Sequence, residues 1–175
     1  AKSGKVQVRS SVAGVSRSGP TLKIPALPVL RAPASLLGLP AVFPIIGKHE
    51  FGESAVQRFG GARGHEGQDT FAECGTPLVA AHGGVVQHAG AESRAGNYAV
   101  VQLPDGTSEV YMHLAEPPPL KAGDPVAAGQ PIGFVGNTGR AHGCHLHFEL
   151  WTAPGWYEGG QPVDPWDWLH ALPGA

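Results

Sequence analysis

Residues 145–150 read His-Leu-His-Phe-Glu-Leu, with polar and apolar side chains in strict alternation. This alternation predicts a β-strand, because successive side chains of a strand point to opposite faces. His145, His147 and Glu149 then share one face, and the apolar side chains share the other, which can pack on a core. Two imidazoles on one strand face favour metal binding or proton transfer. For this motif taken alone, the alternative is a surface strand that carries two histidines.

The composition favours one domain built from short strands. The chain has 175 residues, of which 42% are hydrophobic and 15% are charged, and this is enough apolar material for a core. Its 26 glycines and 17 prolines favour tight turns over long helices. No apolar run is long enough to cross a bilayer. The chain begins at Ala1 without an apolar signal segment, as a mature or trimmed chain would.

Charge divides the chain into two parts. Six of the 12 basic residues and none of the 14 acidic residues lie in residues 1–40, so residues 41–175 carry a net charge of −8. Residues 1–40 are therefore interpreted as a basic, Pro/Gly/Ser-containing leader or linker. A weak contact between this leader and an anionic wall polymer is the alternative. The basic residues are scattered and no aromatic residue lies among them, which argues against a nucleic-acid partner.

Residues 41–175 contain short apolar runs separated by turn residues. Asp105-Gly106 lies between two such runs and is a strong local signal for a hairpin. The tail from Trp151 onward is predicted to cover the sheet and to end in one helical turn. The pattern predicts a mostly-β domain of short antiparallel strands. The main predicted strands cover residues 68–71, 78–81, 85–88, 97–103 and 108–114.

A second group with ligand spacing lies at His65 and Asp69. On an extended backbone these residues and Gly67 share a face, and the absent side chain of Gly67 leaves room between them. With one histidine from the 145–147 pair they supply two imidazoles and one carboxylate, which are ordinary zinc ligands. Three protein ligands and an open position are typical of a catalytic zinc site. A salt-bridged loop pair is the alternative for His65 and Asp69 alone.

Cys74 and Cys144 are the only cysteines. An even pair in a chain of extracellular character predicts one disulfide, which would tie the two histidine-bearing segments together. The alternatives are two buried thiols, or a thiolate that binds the metal.

Three segments resemble, in this order, the lysostaphin-type (LytM-like) zinc endopeptidases, which cut the peptide part of bacterial peptidoglycan. They are residues 65–69 (His-Glu-Gly-Gln-Asp), residues 111–114 (Tyr-Met-His-Leu), and residues 136–149, which run from Gly-Asn-Thr-Gly to His-Leu-His-Phe-Glu. The similarity extends from about residue 43 to residue 169 and leaves residues 1–40 outside it.

The resemblance implies functions for five residues. His65, Asp69 and His147 would bind Zn²⁺, and His113 and His145 would be catalytic. It also implies the lysostaphin-like fold, a duplicated hybrid motif. In this mostly-β fold, loops on a twisted antiparallel sheet core wall a zinc-containing groove.

The implied chemistry requires no Ser or Cys nucleophile, because zinc lowers the pKa of bound water to about 7. One of His113 and His145 would take the proton, and the other would stabilise the oxyanion or protonate the leaving amine. The sequence leaves open which histidine does which. Glu149 is either a hydrogen-bond acceptor that orients one of the histidines or an exposed charge.

The sequence therefore predicts a zinc-dependent endopeptidase, secreted or in the cell envelope, that hydrolyses peptidoglycan stem peptides or crosslinks. The alternative is a non-catalytic wall-binding or hydrolase-regulating module of the same fold. Such relatives usually lose ligands or catalytic histidines, whereas this chain has all five. A hydrolase of an unrelated soluble peptide is a third interpretation. The expected partner is a peptidoglycan peptide, and neither nucleic acid nor a transmembrane segment is expected.

Overall fold

The computed structural model of the chain describes residues 41–62 and 64–175. The predictions for residues 1–40, a leader and its contact with an anionic polymer, lie outside this part. The described residues form ten strands and one short helix. They are β1 (Glu50–Phe51), β2 (Gln68–Phe71), β3 (Pro77–Val79), β4 (Gly84–Glu92), β5 (Gly96–Gln102), β6 (Ser108–Leu114), β7 (Pro125–Val126), β8 (Pro131–Phe134), β9 (His145–Trp151), β10 (Pro162–Val163) and α1 (Trp166–Ala171).

The strands form two antiparallel sheets, which confirms the predicted mostly-β class. The large sheet has the order β1-β2-β9-β6-β5-β4-β7, and β10 also pairs with β9. The small sheet pairs β3 with β8. No helix in the described part of the chain has the length and apolarity that a bilayer crossing requires.

Strand β9 lies inside the large sheet, between β2 and β6. The side chains of Leu146 and Phe148 are buried in the core, where the Phe148 ring packs against Tyr111 and stacks on Trp168 with 5.2 Å between the ring centroids. The intervening side chains, those of His145 and His147, therefore face the opposite side of the sheet. The alternation predicted from the sequence is confirmed, and it separates the core from the site.

The hairpin predicted around Asp105-Gly106 is formed by β5 and β6. The backbone N–H of Thr107 donates to the Asp105 carboxylate at 3.0 Å, and Gly106 adopts a φ of 87°. A carboxylate that accepts from the backbone two residues later stabilises such a turn, and glycine tolerates this positive φ. The turn fixes the register that brings β6 beside β9.

Strands β3 and β4 differ in extent from the prediction. The strand predicted at residues 78–81 ends at Val79, where the pairing with β8 becomes irregular. The strand predicted at residues 85–88 extends from Gly84 to Glu92, because β5 pairs with it along its length. Residues 89–92 have low strand propensity, so their conformation is set by the partner strand.

The predicted cover of the sheet is formed by β10 and α1. Leu169 of α1 is buried in the core, and Trp168 stacks on Phe148 as described above. The N-terminal end of the described chain enters the same core through Val42 and Phe43, which are both buried.

Candidate metal centre

Strands β2 and β9 bring the two histidine-bearing segments together. Their antiparallel register places Asp69 directly opposite His147. Directly opposite residues point to the same face and have neighbouring Cβ atoms. The His147 Nδ1 lies 2.9 Å from the Asp69 Oδ1. Two groups that are 78 residues apart in sequence thus become neighbours through strand pairing alone.

His65 joins these two groups from the loop that precedes β2. Its Nε2 lies 3.2 Å from the Asp69 Oδ1, and its Nδ1–H donates to the carbonyl of Arg58 at 3.1 Å. The backbone at residues 65–67 is not a regular strand, unlike the extended conformation assumed from the spacing. This loop nevertheless approaches β9 closely, because Gly67 packs against the carbonyl of Phe148 at a position where a Cβ would clash.

The donor atoms of His65, Asp69 and His147 fit a metal ion. All three lie within 4.8 Å of one another. Two imidazole nitrogens and one carboxylate oxygen are ligands that zinc prefers, and ligand atoms about 2 Å from a tetrahedral ion lie roughly 3.3 Å apart. The observed separations of 3.2 and 2.9 Å from the Asp69 oxygen are close to that value. The three residues therefore form a His/Asp/His cluster with the composition and spacing of a metal site.

Glu149 fixes the ring of His147. The His147 Nε2–H donates to the Glu149 Oε1 at 3.0 Å, which directs Nδ1 toward Asp69. The other carboxylate oxygen accepts the indole N–H of Trp151 at 2.7 Å and that of Trp156 at 3.2 Å. Glu149 is buried. Of the two roles considered for Glu149, these contacts match the hydrogen-bond acceptor and not the exposed charge.

Electrostatics in the metal-free cluster follow from these contacts. Burial by itself would raise the pKa of Asp69, but hydrogen bonds from His147 and His65 outweigh it and hold that pKa well below its usual range. Burial would lower the pKa of His147, but the hydrogen bonds to Asp69 and Glu149 raise it to about 9. The carboxylates of Asp69 and Glu149 thus favour positive charge at His147, and a metal ion bound at Nδ1 would take the place of the proton there.

His113 lies at the end of β6 in a strained backbone conformation. It has a φ of 66°, which is uncommon for a residue with a side chain. Its N–H donates to the carbonyl of Ala95 at 2.8 Å, and its Nδ1–H donates to the carbonyl of Thr138 at 2.8 Å. Strain that surrounding contacts hold in place is concentrated at functional sites in proteins.

His145 lies beside His113 and is held in the same way. The ring centroids are 4.8 Å apart, and the His145 Nδ1–H donates to the carbonyl of Gly143 at 2.9 Å. Each neutral ring therefore keeps its unprotonated Nε2 free to accept a proton. The His145 Nε2 lies 3.6 Å from the Asp69 Oδ1. The pKa of both rings is lowered, mainly by burial, and that of His113 falls to about 4.

The predicted disulfide between Cys74 and Cys144 is present. Cys144 directly precedes His145, and Cys74 follows β2, which carries Asp69. The disulfide therefore links the segment that follows β2 to the start of β9.

A cleft of about 750 Å³ lies over these groups. Its floor contains the five histidine and aspartate side chains, and Trp156 and Tyr157 also line it. One wall, including Glu66, is formed by the loop before β2. The opposite wall is formed by the β4–β5 turn and the loop before β9, and it includes Arg94 and Arg140.

The structure brings together every residue for which the sequence predicted a chemical role. The carbonyls of Thr138 and Gly143, which orient the two histidines, were missed because a backbone group has no residue-type signal. Trp156 was also missed. His142, interpreted as a solvated loop residue, is exposed on the rim of the cleft.

Four other histidines lie away from the cleft, and one of them, His88, lies 3.9 Å from the Glu158 carboxylate. His82 bonds to the buried Glu109, and His49 and His170 stack on the phenylalanine rings near α1.

Comparisons with known proteins converge on one family. Residues 63–165 match Peptidase family M23. The chain is 42% identical over 86 residues to the peptidoglycan DD-endopeptidase ShyA of Vibrio cholerae, an alignment that covers 49% of this chain and 20% of ShyA. The chain spans about a fifth of the length of the curated relatives it matches.

Two solved structures have the same fold. Lysostaphin from Staphylococcus simulans superposes with a TM-score of 0.62 at 30% identity, over 75% of this chain and 55% of lysostaphin. The catalytic domain of the prophage-encoded M23 protein EnpA from Enterococcus faecalis superposes with a TM-score of 0.58 at 31% identity. That match covers 70% of this chain and 93% of the EnpA domain.

Proposed function

Because the chain belongs to Peptidase family M23, we propose that it is a zinc-dependent endopeptidase that hydrolyses peptide bonds in bacterial peptidoglycan. The observation that carries this proposal is the convergence of the His65, Asp69 and His147 ligand atoms beside two histidines with a free Nε2. Three protein ligands leave a position for water or substrate, as in catalytic zinc sites. The peptidoglycan substrate is supported by the similarity to ShyA and implies a location outside the cytoplasm.

His65 Nε2, an Asp69 carboxylate oxygen and His147 Nδ1 would hold the ion. Bound zinc supplies a Lewis acid that polarises the scissile carbonyl and activates water near neutral pH. Glu149 accepts the Nε2 proton of His147, which increases the basicity of the ligand and fixes its ring. The indole donors on Glu149 keep this carboxylate in place.

His113 and His145 carry the proton transfers. Their Nδ1 protons are committed to backbone carbonyls, so proton exchange occurs at Nε2. An imidazole accepts the proton of the attacking water and returns it to the leaving amine as the C–N bond breaks. The protonated ring also stabilises the negative charge that develops on the carbonyl oxygen. The neutral state imposed by burial leaves both rings able to act as bases.

The test is hydrolysis of purified peptidoglycan by the zinc-loaded protein, measured as the release of new amino groups. Removing the metal with a chelator is expected to reduce the rate on the order of a thousandfold, because the Lewis-acid contribution is several kcal/mol. Adding zinc back should restore the rate. The metal content of the purified protein, measured in parallel, identifies the ion.

The matched variants are Asp69→Asn and Asp167→Asn. The first removes a ligand charge and is expected to lose both zinc and activity. The second changes an exposed carboxylate on α1 and should retain both. Hydrolysis that continues unchanged in the chelator, or in a metal-free Asp69→Asn protein, would exclude the proposed mechanism. Absence of hydrolysis by the zinc-loaded protein would favour a wall-binding or regulatory module.

A further inference from the structure

Two arginines, Arg94 and Arg140, line the same wall of the cleft and are called the arginine pair here. Both are exposed. Neither forms an ion pair with a carboxylate of the described residues, which contain every Asp and Glu of the chain. Two exposed arginines that have no carboxylate partner thus line the space that the substrate would occupy.

The arginine pair is held by a junction between two loops. The N–H of Arg140 donates to the carbonyl of Arg94 at 3.0 Å. The loops approach so closely that a Cβ at Gly96 would clash with Thr138, and a Cβ at Gly139 would clash with the backbone of Arg94 and Gly96. Both glycines have a positive φ. The backbones of the two arginines are therefore fixed relative to each other.

The same junction holds His113. The carbonyls that accept its two N–H groups belong to Ala95 and Thr138, each within two residues of one of the arginines. The Thr138 hydroxyl strengthens the junction by accepting from the N–H of Asn97 at 3.0 Å and donating to the carbonyl of Leu114 at 2.8 Å. The arginine pair is consequently positioned by the elements that position a catalytic histidine.

Charge is distributed unevenly around the cleft. Residues 41–175 contain six basic and 14 acidic residues, and two of the six line this wall. The acidic Glu66 lies on the opposite wall. Glu92 also lines the cleft beside the arginines, so this wall carries two positive charges and one negative charge and is positive overall. In an acidic domain, this concentration of cationic groups on one wall favours an anionic feature of the substrate.

We propose that the arginine pair binds a free carboxylate of the stem peptide and selects substrates that carry it close to the cleaved bond. This inference rests on the proposed function. Guanidinium groups bind carboxylates through paired N–H donors, so they distinguish a carboxylate from a carboxamide by charge as well as by hydrogen bonding. A wall peptide carries such a group wherever one of its carboxylates is not part of a peptide bond. A free carboxylate is therefore the feature that would match the arginine pair.

The experiment compares two preparations of soluble crosslinked muropeptide dimers. One preparation has free carboxylates. In the other, the carboxylates have been converted to carboxamides with a carbodiimide and ammonium. The zinc-loaded wild type is expected to cleave the free-carboxylate dimers about tenfold faster in kcat/KM, because two exposed ion pairs together correspond to a preference of that size. The double variant Arg94→Gln/Arg140→Gln is expected to cleave both preparations at similar rates.

Lys121→Gln is the matched control, because it removes one positive charge from an exposed loop that does not line the cleft. It should keep the wild-type preference. Equal rates on both preparations by the wild type, or a preference that persists in the double variant, would overturn the inference. Cleavage of the amidated dimers by the wild type tests the proposed function separately. If neither preparation is cleaved, the affinities of the two preparations are compared by tryptophan fluorescence instead. Tighter binding of the free-carboxylate dimers by the wild type, and equal binding of both by the double variant, would then support the inference.

Discussion

Glu149 controls the orientation of His147 at the scale of a single residue. Its buried carboxylate accepts three N–H groups, one from His147 and two from the indoles of Trp151 and Trp156. A buried carboxylate needs such donors, because leaving a charge without partners is costly. The indoles anchor the carboxylate, and the carboxylate in turn anchors the imidazole. The direction of His147 Nδ1 is therefore determined by residues outside the His/Asp/His cluster.

The variant Glu149→Gln tests this positioning role. The amide has nearly the same size, but one acceptor oxygen is replaced by an NH₂ group, which cannot accept a hydrogen bond. Either the His147 N–H or the two indole N–H groups would then lose their acceptor. We expect zinc affinity to fall by roughly tenfold to a hundredfold, as found when partners of metal-bound histidines are changed. Competition with a chelating dye measures this affinity. The control Glu158→Gln changes an exposed carboxylate and should bind zinc normally; equal affinities of the two variants would contradict the role.

The site residues that sequence could predict are those whose chemistry depends on side-chain type. His145 and His147 are recognisable because two imidazoles on one strand face are unusual. Glu149 remained ambiguous, because its role depends on Trp156, whose position is set by a loop rather than by strand periodicity. The left-handed backbone conformation of His113 had no sequence signal, because contacts with other segments of the chain impose it.

At the scale of secondary structure, the site depends on how closely the segment before β2 approaches β9. Gly67 makes this approach possible, because a Cβ at this position would clash with the carbonyl of Phe148 and lie 2.9 Å from the His147 Nε2. The approach aligns His65 with the Asp69–His147 pair. A single missing side chain thus sets the distance between ligand groups that belong to different elements.

We expect Gly67→Ala to push the loop away from β9 and to weaken zinc binding. Overpacking of this kind costs roughly 1–3 kcal/mol of unfolding free energy. Denaturant unfolding in chelator and zinc titration measure the two effects separately. Gly90→Ala is the matched control, since the nearest atom to its Cβ would be the Tyr98 Cε1 at 4.0 Å. If Gly67→Ala bound zinc as tightly as Gly90→Ala, the spacing argument would be wrong.

The strands were predictable where local chemistry determines them. Strand β9 has strict alternation, and the β5–β6 hairpin has Asp105-Gly106 at its turn. The far ends of β3 and β4 were wrong in the prediction, because the pairing with neighbouring strands sets them. The division into a large and a small sheet was likewise not predictable from periodicity, since it depends on which strands pair.

At the scale of the whole molecule, the Cys74–Cys144 disulfide closes a loop that contains β3 to β8. With a sequence separation of 70 residues, the loss of chain entropy in the unfolded state corresponds to about 4 kcal/mol. The double variant Cys74→Ser/Cys144→Ser should lose stability on this order in denaturant unfolding. Reducing agent should lower the stability of the wild type and leave that of the variant unchanged. Coincident unfolding curves for oxidised wild type and variant would refute this contribution.

A buried polar network outside the cleft connects the loop after β3 to β6. The His82 Nδ1 lies 2.6 Å from the carboxylate of Glu109, which is fully buried and also accepts the Tyr111 hydroxyl at 2.6 Å. The Tyr111 oxygen in turn accepts the N–H of Ala81 at 2.7 Å. The hydrogen bond to Glu109 raises the pKa of His82 above its ordinary 6.5, and burial only partly offsets this effect.

This network makes the stability of the fold depend on pH. Because the folded-state pKa of His82 is raised, its protonated form stabilises the fold fully below pH 6.5, and this contribution is lost as the pH rises through the folded-state pKa. We expect His82→Gln to reduce the unfolding free energy more at about pH 5.5 than at about pH 9. His88→Gln is the matched control, because it removes a half-buried imidazole of β4 that lies 3.9 Å from its nearest carboxylate partner, Glu158, and it should change the unfolding free energy less than His82→Gln. A His82→Gln effect of equal size at both pH values would contradict the linkage.

The loop junction at Gly96 and Gly139 has a consequence for protein engineering. The loop at Gly96 fills the space that a side chain at Gly139 would need, and the loop at Gly139 does the same for Gly96. Together the two loops hold His113 and carry both arginines of the cleft wall. A chimera that receives only one of these loops from another enzyme would therefore combine two surfaces that do not match. New substrate preference should be transplanted by exchanging residues 92–97 and 136–144 as a unit, with β5, β6 and β9 left as the recipient scaffold.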